Sequence, residues 1–81
     1  MQLDILTPEK RIFSGEAQSV SLPGSDGRFQ VLNNHAPIIS SLQKGYLKVV
    51  SNSQESKWNI TGGVVEVLKN NVTVLVEAIE Q

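Results

Sequence analysis

Apolar side chains recur at every second position along most of this chain, and this period of two constrains the fold more than any other feature. Leu3 and Ile5 flank Asp4, while Val20 and Leu22 alternate with serines. A period of two places successive side chains on opposite faces of a β-strand. No segment keeps the 3.6-residue period of a helix with caps at both ends. The pattern therefore predicts an all-β chain.

Turn-forming residues interrupt the strand-like runs at intervals of about 8–12 residues, as in a sandwich or barrel. The segments SNSQES and KNN each separate two such runs and predict hairpin loops, and PGSDG predicts a further turn. The segment VTVLV is apolar at nearly every position and predicts a strand buried on both faces. With no internal repeat or linker, residues 1–81 are predicted to form a single domain of two packed antiparallel sheets.

Composition excludes several classes of function. The net charge of −1 argues against a nucleic-acid binder, which needs a basic face. The chain has no cysteine, so it has neither a disulfide framework nor a thiolate metal site. No apolar run approaches the ~20 residues of a membrane helix, and the start of the chain lacks the features of a signal peptide. We therefore expect no direct insertion into a membrane.

The residues offer little for catalysis, metal binding or cofactor binding. His35 is the single histidine, and although it could act as a base for Ser40 or Ser41, no third member of a triad can be assigned. His35 with Asp26 supplies too few ligands for a metal. The glycines of PGSDG and of Gly62-Gly63 lack the spacing of a phosphate-binding loop and are predicted to provide positive φ in turns. We predict no catalytic, metal or cofactor residue and interpret His35 as a loop or contact-surface residue.

A sugar site is the main alternative to a contact function. Tyr46 and Trp58 lie on neighbouring predicted strands and could stack on a sugar ring, although a core or cross-strand pair is the commoner role of such aromatics. Residue chemistry alone thus leaves three hypotheses: a module that works by contact with a partner, a sugar-binding module, and an enzyme that depends on His35.

Five segments carry a family resemblance: LDILTPE, FSGEA, PGSDGRFQVLNNHAP, GGVVEV and NNVTVL. In this order and spacing, from Leu3 to about Glu77, they closely resemble the N-terminal domain of the epsilon subunit of bacterial-type F1Fo ATP synthase. The resemblance implies a flattened, barrel-like antiparallel β-sandwich with about five strands in each of two packed sheets. It agrees with the fold that the periodicity predicts.

The resemblance also implies a function. The family's domain is a non-catalytic subunit of the central stalk, or rotor, and links the gamma subunit to the c-ring. In this way it helps to couple proton-driven rotation to ATP synthesis. The implied partners are gamma, the c-ring and the F1 assembly with alpha, beta and delta. The implied location is peripheral, on the cytoplasmic side of the bacterial inner membrane.

Two sets of contact residues follow from matching positions in the family. The residues that match the gamma contacts are Thr7, His35 and Ser40, and we add the neighbours of His35, which are Ala36, Pro37, Ile38 and Ile39. The turn that matches the c-ring contact comprises Ser25, Asp26, Gly27 and Arg28.

The chain departs from the family pattern in three places. The family usually continues into a C-terminal helical hairpin that carries an inhibitory switch and, in some members, an ATP site. This sequence ends at Gln81, so we expect neither hairpin-based inhibition nor nucleotide binding, although a truncated chain would look the same. Gln30 stands where glycine is common. Arg28 stands where relatives can be acidic, and because ring loops in the family commonly carry arginine, Asp26 is the expected electrostatic partner.

Overall fold

The structure, a computed structural model, describes residues 1–80 and confirms the all-β prediction. It contains ten strands, which are β1 (Gln2–Leu6), β2 (Arg11–Glu16), β3 (Ser19–Gly24), β4 (Gly27–Leu32), β5 (Ile38–Leu42), β6 (Gly45–Ser51), β7 (Gln54–Ile60), β8 (Gly63–Leu68), β9 (Asn71–Val76) and β10 (Ile79–Glu80). Within this described range, no helix is long and apolar enough to cross a membrane.

The ten strands form two packed layers of five. The hydrogen-bonded order is β10-β7-β6-β3-β5-β8-β9-β1-β2, and β4 pairs with β3. β3 and β5 share only the pair Gly24–Leu42, so the sheet divides there. The first layer comprises β4, β3, β6, β7 and β10, and the second comprises β5, β8, β9, β1 and β2. The prediction of two packed sheets of about five strands each is confirmed, although β1 and β9 pair in parallel rather than antiparallel.

Aliphatic side chains from both layers form one buried cluster. Leu3 of β1, Leu22 of β3 and Leu47 of β6 are fully buried in it. Each such side chain contributes about 1.5–3 kcal/mol through removal from water. On the side where β2 approaches β7, Phe13 packs edge-to-face on Trp58, with ring centroids 6.1 Å apart. This contact joins β2, at one end of the strand order, to β7, next to the other end, and gives the sandwich its barrel-like form.

Both predicted hairpins have two-residue loops. Asn52 and Ser53 connect β6 to β7 with φ values of 52° and 62°, and Lys69 and Asn70 connect β8 to β9 with 50° and 62°. Positive φ at both loop positions is the signature of a type I′ turn, whose twist matches that of the flanking strands. The SNSQES segment is longer than the loop it contains, because its last three residues belong to β7.

The prediction that VTVLV is buried on both faces is wrong. In β9, Val72, Val74 and Val76 point into the core, whereas Leu75 is 50% exposed. A domain of two layers covers only one face of each strand, so the second apolar face of β9 lies on the outside. The apolar residues of that outer face are therefore not part of the core.

Gly63 meets a steric requirement that the sequence did not predict. We expected Gly62-Gly63 to supply positive φ, but Gly63 begins β8 without it. A Cβ at this position would lie 2.2 Å from the carbonyl oxygen of Leu75 on β9. Glycine is needed there because two backbones approach closely. Gly27, with a φ of 126°, fits the original interpretation.

Replacement of Gly63 by alanine should therefore force β8 away from β9. For Gly63→Ala we expect a loss of about 2–3 kcal/mol in the free energy of unfolding, as for other overpacked sites. The adjacent Val64→Ala, at an outward-facing position, serves as the control and should cost less than about 1 kcal/mol. Urea unfolding followed by Trp58 fluorescence measures both. Equal stability of Gly63→Ala and the unsubstituted chain would contradict the close approach.

Candidate interaction surfaces

His35 lies in the loop between β4 and β5 and has no catalytic partner there. Its Nδ1 is 2.7 Å from the carbonyl oxygen of Ala36, which only accepts, so Nδ1 carries the proton. The hydroxyl of Ser40 donates to the carbonyl of Ser41, and the hydroxyl of Ser41 donates to that of Ser25. Neither serine thus bonds to His35, and within residues 1–80 no group of three His, Cys, Asp or Glu side chains is placed to hold a metal. The bond to the backbone of Ala36 fits the interpretation of His35 as a loop residue, and the geometry gives no support to a catalytic role.

The two aromatic residues of the sugar hypothesis lie on opposite faces of the first layer. Tyr46 is paired with Asn59, whereas Trp58 is paired with Leu47, so one ring points outward and the other inward. Trp58 packs against the core, and Tyr46 is 39% exposed on the outer face. The two rings cannot form one stacking platform, and the sugar hypothesis is not supported.

Arg28 lies along the outer face of the first layer. Its Nη1 donates to the carbonyl oxygen of Tyr46 at 2.9 Å, and its Nη2 donates to the hydroxyl of Ser21 at 2.8 Å. The guanidinium carbon is 3.7 Å from the centroid of the Tyr46 ring, a cation–π contact. Arg28 therefore joins β4 to β6 across β3 and does not extend beyond the turn.

The turn of Ser25 and Asp26 is fixed to the second layer. The backbone N–H of Ser25 donates to the carbonyl of Ser41 on β5 at 3.0 Å, and the two serine hydroxyls bond at 2.8 Å. Asp26 is exposed and has no ion pair among the described residues. Of the four predicted ring-facing residues, Asp26 therefore presents the charge at the tip of the turn, and Gly27 provides its positive φ.

A strip of apolar side chains crosses the outer face of the second layer. Val64 of β8 is directly opposite Leu75 of β9, and Leu75 is directly opposite Leu6 of β1. Directly opposed side chains share a face of the sheet, so these three are in one row. Val64 is 36% exposed and Leu75 is 50% exposed.

Two further residues extend this strip towards the His35 loop. Ile39 of β5 is 76% exposed and lies diagonally across from Val64, while Leu68 of β8 is 49% exposed and lies on the other diagonal. We call Leu6, Ile39, Val64, Leu68 and Leu75 the apolar face. The sequence held a signal for it, because VVEVL and VTVLV contain more apolar residues than one inward face requires.

Some of the predicted gamma-contact residues lie at the two ends of the apolar face, and the others lie away from it. Thr7 borders one end, in a groove with Leu6 and Leu75. Its hydroxyl oxygen accepts hydrogen bonds from the backbone N–H groups of Glu9 and Lys10 in the same turn. Pro37 and Ile39 border the other end in a groove with Leu68.

The remaining members of that predicted set lie elsewhere. Ile38 and Ser40 are on the inward side of β5, where Ile38 packs against the core. His35 is half-buried in the loop, and Ala36 is exposed beside it.

These features define a small β-sandwich with exposed apolar side chains on one outer face, interrupted by Glu66, which lies directly opposite Ile39. Exposed apolar patches are a property of domains that bind other proteins. The family model described as "ATP synthase, Delta/Epsilon chain, beta-sandwich domain" matches residues 1–81. This chain belongs to that family, and the resemblance carried by the five sequence segments is confirmed.

Relatives and a solved structure agree with this assignment. The ATP synthase epsilon chain of Chlorobaculum tepidum is 44% identical over 78 residues, which cover 95% of this chain and 89% of the relative. That of Rhodopseudomonas palustris is 40% identical over 74 residues, which cover 91% of this chain and 55% of the relative. This chain thus spans about half the length of the second relative.

A chain from the Tetrahymena thermophila mitochondrial ATP synthase structure of the central stalk and c-ring superposes with a TM-score of 0.86. The match covers 99% of this chain and 65% of that chain at 17% sequence identity. At that identity, the similarity shows that the two chains share a fold.

Removal of the Arg28 guanidinium should loosen the first layer. For Arg28→Gln we expect a loss of about 1 kcal/mol in the free energy of unfolding, because two hydrogen bonds and the cation–π contact with Tyr46 disappear. Arg28→Lys should not restore the loss, since an ammonium cannot reproduce the forked geometry. Gln30→Ala, at the next outward position of β4, is the control. Urea denaturation distinguishes these outcomes, and full stability of Arg28→Lys would refute the geometric role.

Proposed function

We propose that this chain is a non-catalytic central-stalk subunit of F1Fo ATP synthase, which joins gamma to the c-ring and helps to transmit proton-driven rotation to ATP synthesis. Membership of the family supports the assignment to this enzyme. The observation that carries the role is the exposed apolar face, because such a surface is stable in water only at a cost and is suited to a permanent partner.

The gamma subunit is the partner that we assign to the apolar face. An exposed ion pair contributes only about 0–1 kcal/mol, so a lasting complex must rest on apolar burial, commonly ~800 Å² per partner. Thr7, which the resemblance assigns to gamma, borders this face, and Ile39, which we added as a neighbour of His35, belongs to it. His35, Ala36 and Pro37 would add contacts at its edge.

The c-ring is the partner that we assign to the Ser25–Arg28 turn. Arg28 is held on the first layer, so Asp26 is the charge available to an arginine of a ring loop. A single exposed pair is too weak to hold the complex and would instead orient the turn on the ring.

The remaining partners follow from this position in the enzyme. The chain would join the F1 assembly with alpha, beta and delta through gamma, at the cytoplasmic side of the bacterial inner membrane. Its attachment to the membrane would be peripheral, through the c-ring.

Polar substitutions on the apolar face should weaken binding to gamma. For Leu75→Ser and for Ile39→Ser we expect the Kd for purified gamma to rise about 5–30-fold, which corresponds to ~1–2 kcal/mol of lost burial. Leu32→Ser is the matched control, since Leu32 is a 54% exposed leucine on the outer face of the first layer. Titration calorimetry measures all three. A loss of affinity in Leu32→Ser together with unchanged binding of Leu75→Ser would exclude the apolar face as the site.

Reversal of the charge at the tip of the turn should impair coupling. In membrane vesicles that carry the assembled enzyme, Asp26→Arg should lower ATP-driven proton pumping roughly 2–5-fold relative to ATP hydrolysis, in line with the loss of one exposed ion pair. Arg28→Gln should change this ratio less, because its guanidinium is held on the first layer by Tyr46 and Ser21. Unchanged pumping per ATP in Asp26→Arg would remove the turn from the coupling contact.

A further inference from the structure

The outer face of the first layer carries a group of cations, of which only Arg28 belongs to a segment that we assign to a partner. Lys48 of β6 is directly opposite Lys57 of β7. The Nζ of Lys57 is 5.2 Å from the centroid of the Tyr46 ring, and the guanidinium of Arg28 is 3.7 Å from the same centroid. We call Arg28, Lys48, Lys57 and the ring of Tyr46 between them the cationic cluster.

The cationic cluster is only partly neutralised within the chain. Like charges directly opposite each other on a sheet are destabilising. Glu55 lies 3.9 Å from Lys48, at the limit of an ion pair, and is itself 61% exposed. Among the described residues, Arg28 and Lys57 have no ion pair. The fold therefore holds two opposed lysines and an arginine together with one carboxylate.

The charge of the molecule is accordingly polarised. The outer face and rim of the first layer hold four cations and three carboxylates, which are Arg28, Lys44, Lys48, Lys57, Asp26, Glu55 and Glu80. This face has a formal charge of +1, whereas the whole chain has −1, so the rest of the chain has −2. An anionic partner would be steered to this face and away from the others.

We propose that the cationic cluster binds an acidic segment of a partner protein. A membrane surface is a poorer match, since recognition of anionic lipid requires about 4–8 clustered basic residues and the rest of the chain is negative. Nucleic acid is excluded because the chain as a whole is negatively charged and would repel a phosphate backbone. A short run of carboxylates could pair with the adjacent ammonium groups of Lys48 and Lys57. Arg28, which is oriented by its bonds to Tyr46 and Ser21, adds a third positive charge beside them.

This site does not overlap the surface that we assign to gamma. The cationic cluster is on the outer face of the first layer and the apolar face is on that of the second, with the core between them. Both can therefore be occupied at once.

A blocked hexaglutamate peptide is the probe, with hexaglutamine as its neutral counterpart. Titrated into the ¹⁵N-labelled chain, hexaglutamate should shift the backbone amide signals of Tyr46, Lys48 and Lys57 and the Nε–H signal of Arg28 in a saturable way. The affinity should fall as salt is raised from roughly 0.05 to 0.5 M, which screens exposed charges.

Charge-removing variants locate the binding. Lys48→Gln and Lys57→Gln should each weaken hexaglutamate binding about 3-fold, and the double variant about 10-fold. Lys69→Gln, in the turn between β8 and β9, is the control and should bind as the unsubstituted chain does. All three positions are on the surface, and the same spectra report whether each variant is folded.

Several results would overturn the proposal. They are the absence of a saturable shift, an equal response to hexaglutamine, or equal weakening by Lys69→Gln. Binding to phosphatidylglycerol vesicles, but not to hexaglutamate, would identify a lipid site instead. Self-association of the chain that Lys57→Gln abolishes, measured by sedimentation, would identify a second copy as the occupant.

Discussion

The shared aliphatic core between two five-stranded layers is the feature on which the rest of the structure depends. It includes Leu3 and Val74 from the second layer and Leu22 from the first, all fully buried. Because there are only two layers, every strand has one covered face and one open face. The outward residues are less constrained by packing than the core, and the two outer faces differ: one is apolar at Ile39 and Leu75, and the other is cationic around Tyr46.

The same construction explains how one small domain could transmit force between two partners. Strands β3 and β5 of the two layers share one ladder pair, Gly24–Leu42, next to the turn that carries Asp26. Hydrogen bonds between Ser25 and Ser41 fasten that turn to β5, and β5 carries Ile39 of the apolar face near its other end. A load applied at the turn would therefore pass along a hydrogen-bonded strand to the surface that we assign to gamma, without crossing a flexible linker.

Periodicity predicted the fold well because a period of two and the loop residues Lys69-Asn70 are local signals of strands and turns. It failed for VTVLV, because apolar character alone does not reveal whether the strand face that carries Leu75 is covered. Coverage of that face depends on the number of layers in the domain. The role of Gly63 was missed because its close neighbour, Leu75, is distant in sequence. Likewise, the sequence assigned Arg28 to the turn, whereas Arg28 lies in β4, and its bonds to Tyr46 and Ser21 arise only from strand pairing.

Protection of single cysteines against maleimide labelling tests most directly which face binds gamma, because the chain has no cysteine of its own. Ile39→Cys and Leu75→Cys report on the apolar face, and Leu32→Cys and Lys57→Cys report on the outer face of the first layer. We predict that gamma slows labelling of the first pair at least ~10-fold, as expected for burial in a stable interface, and leaves the second pair unchanged. Protection of Leu32→Cys and Lys57→Cys, with free labelling at positions 39 and 75, would contradict the account.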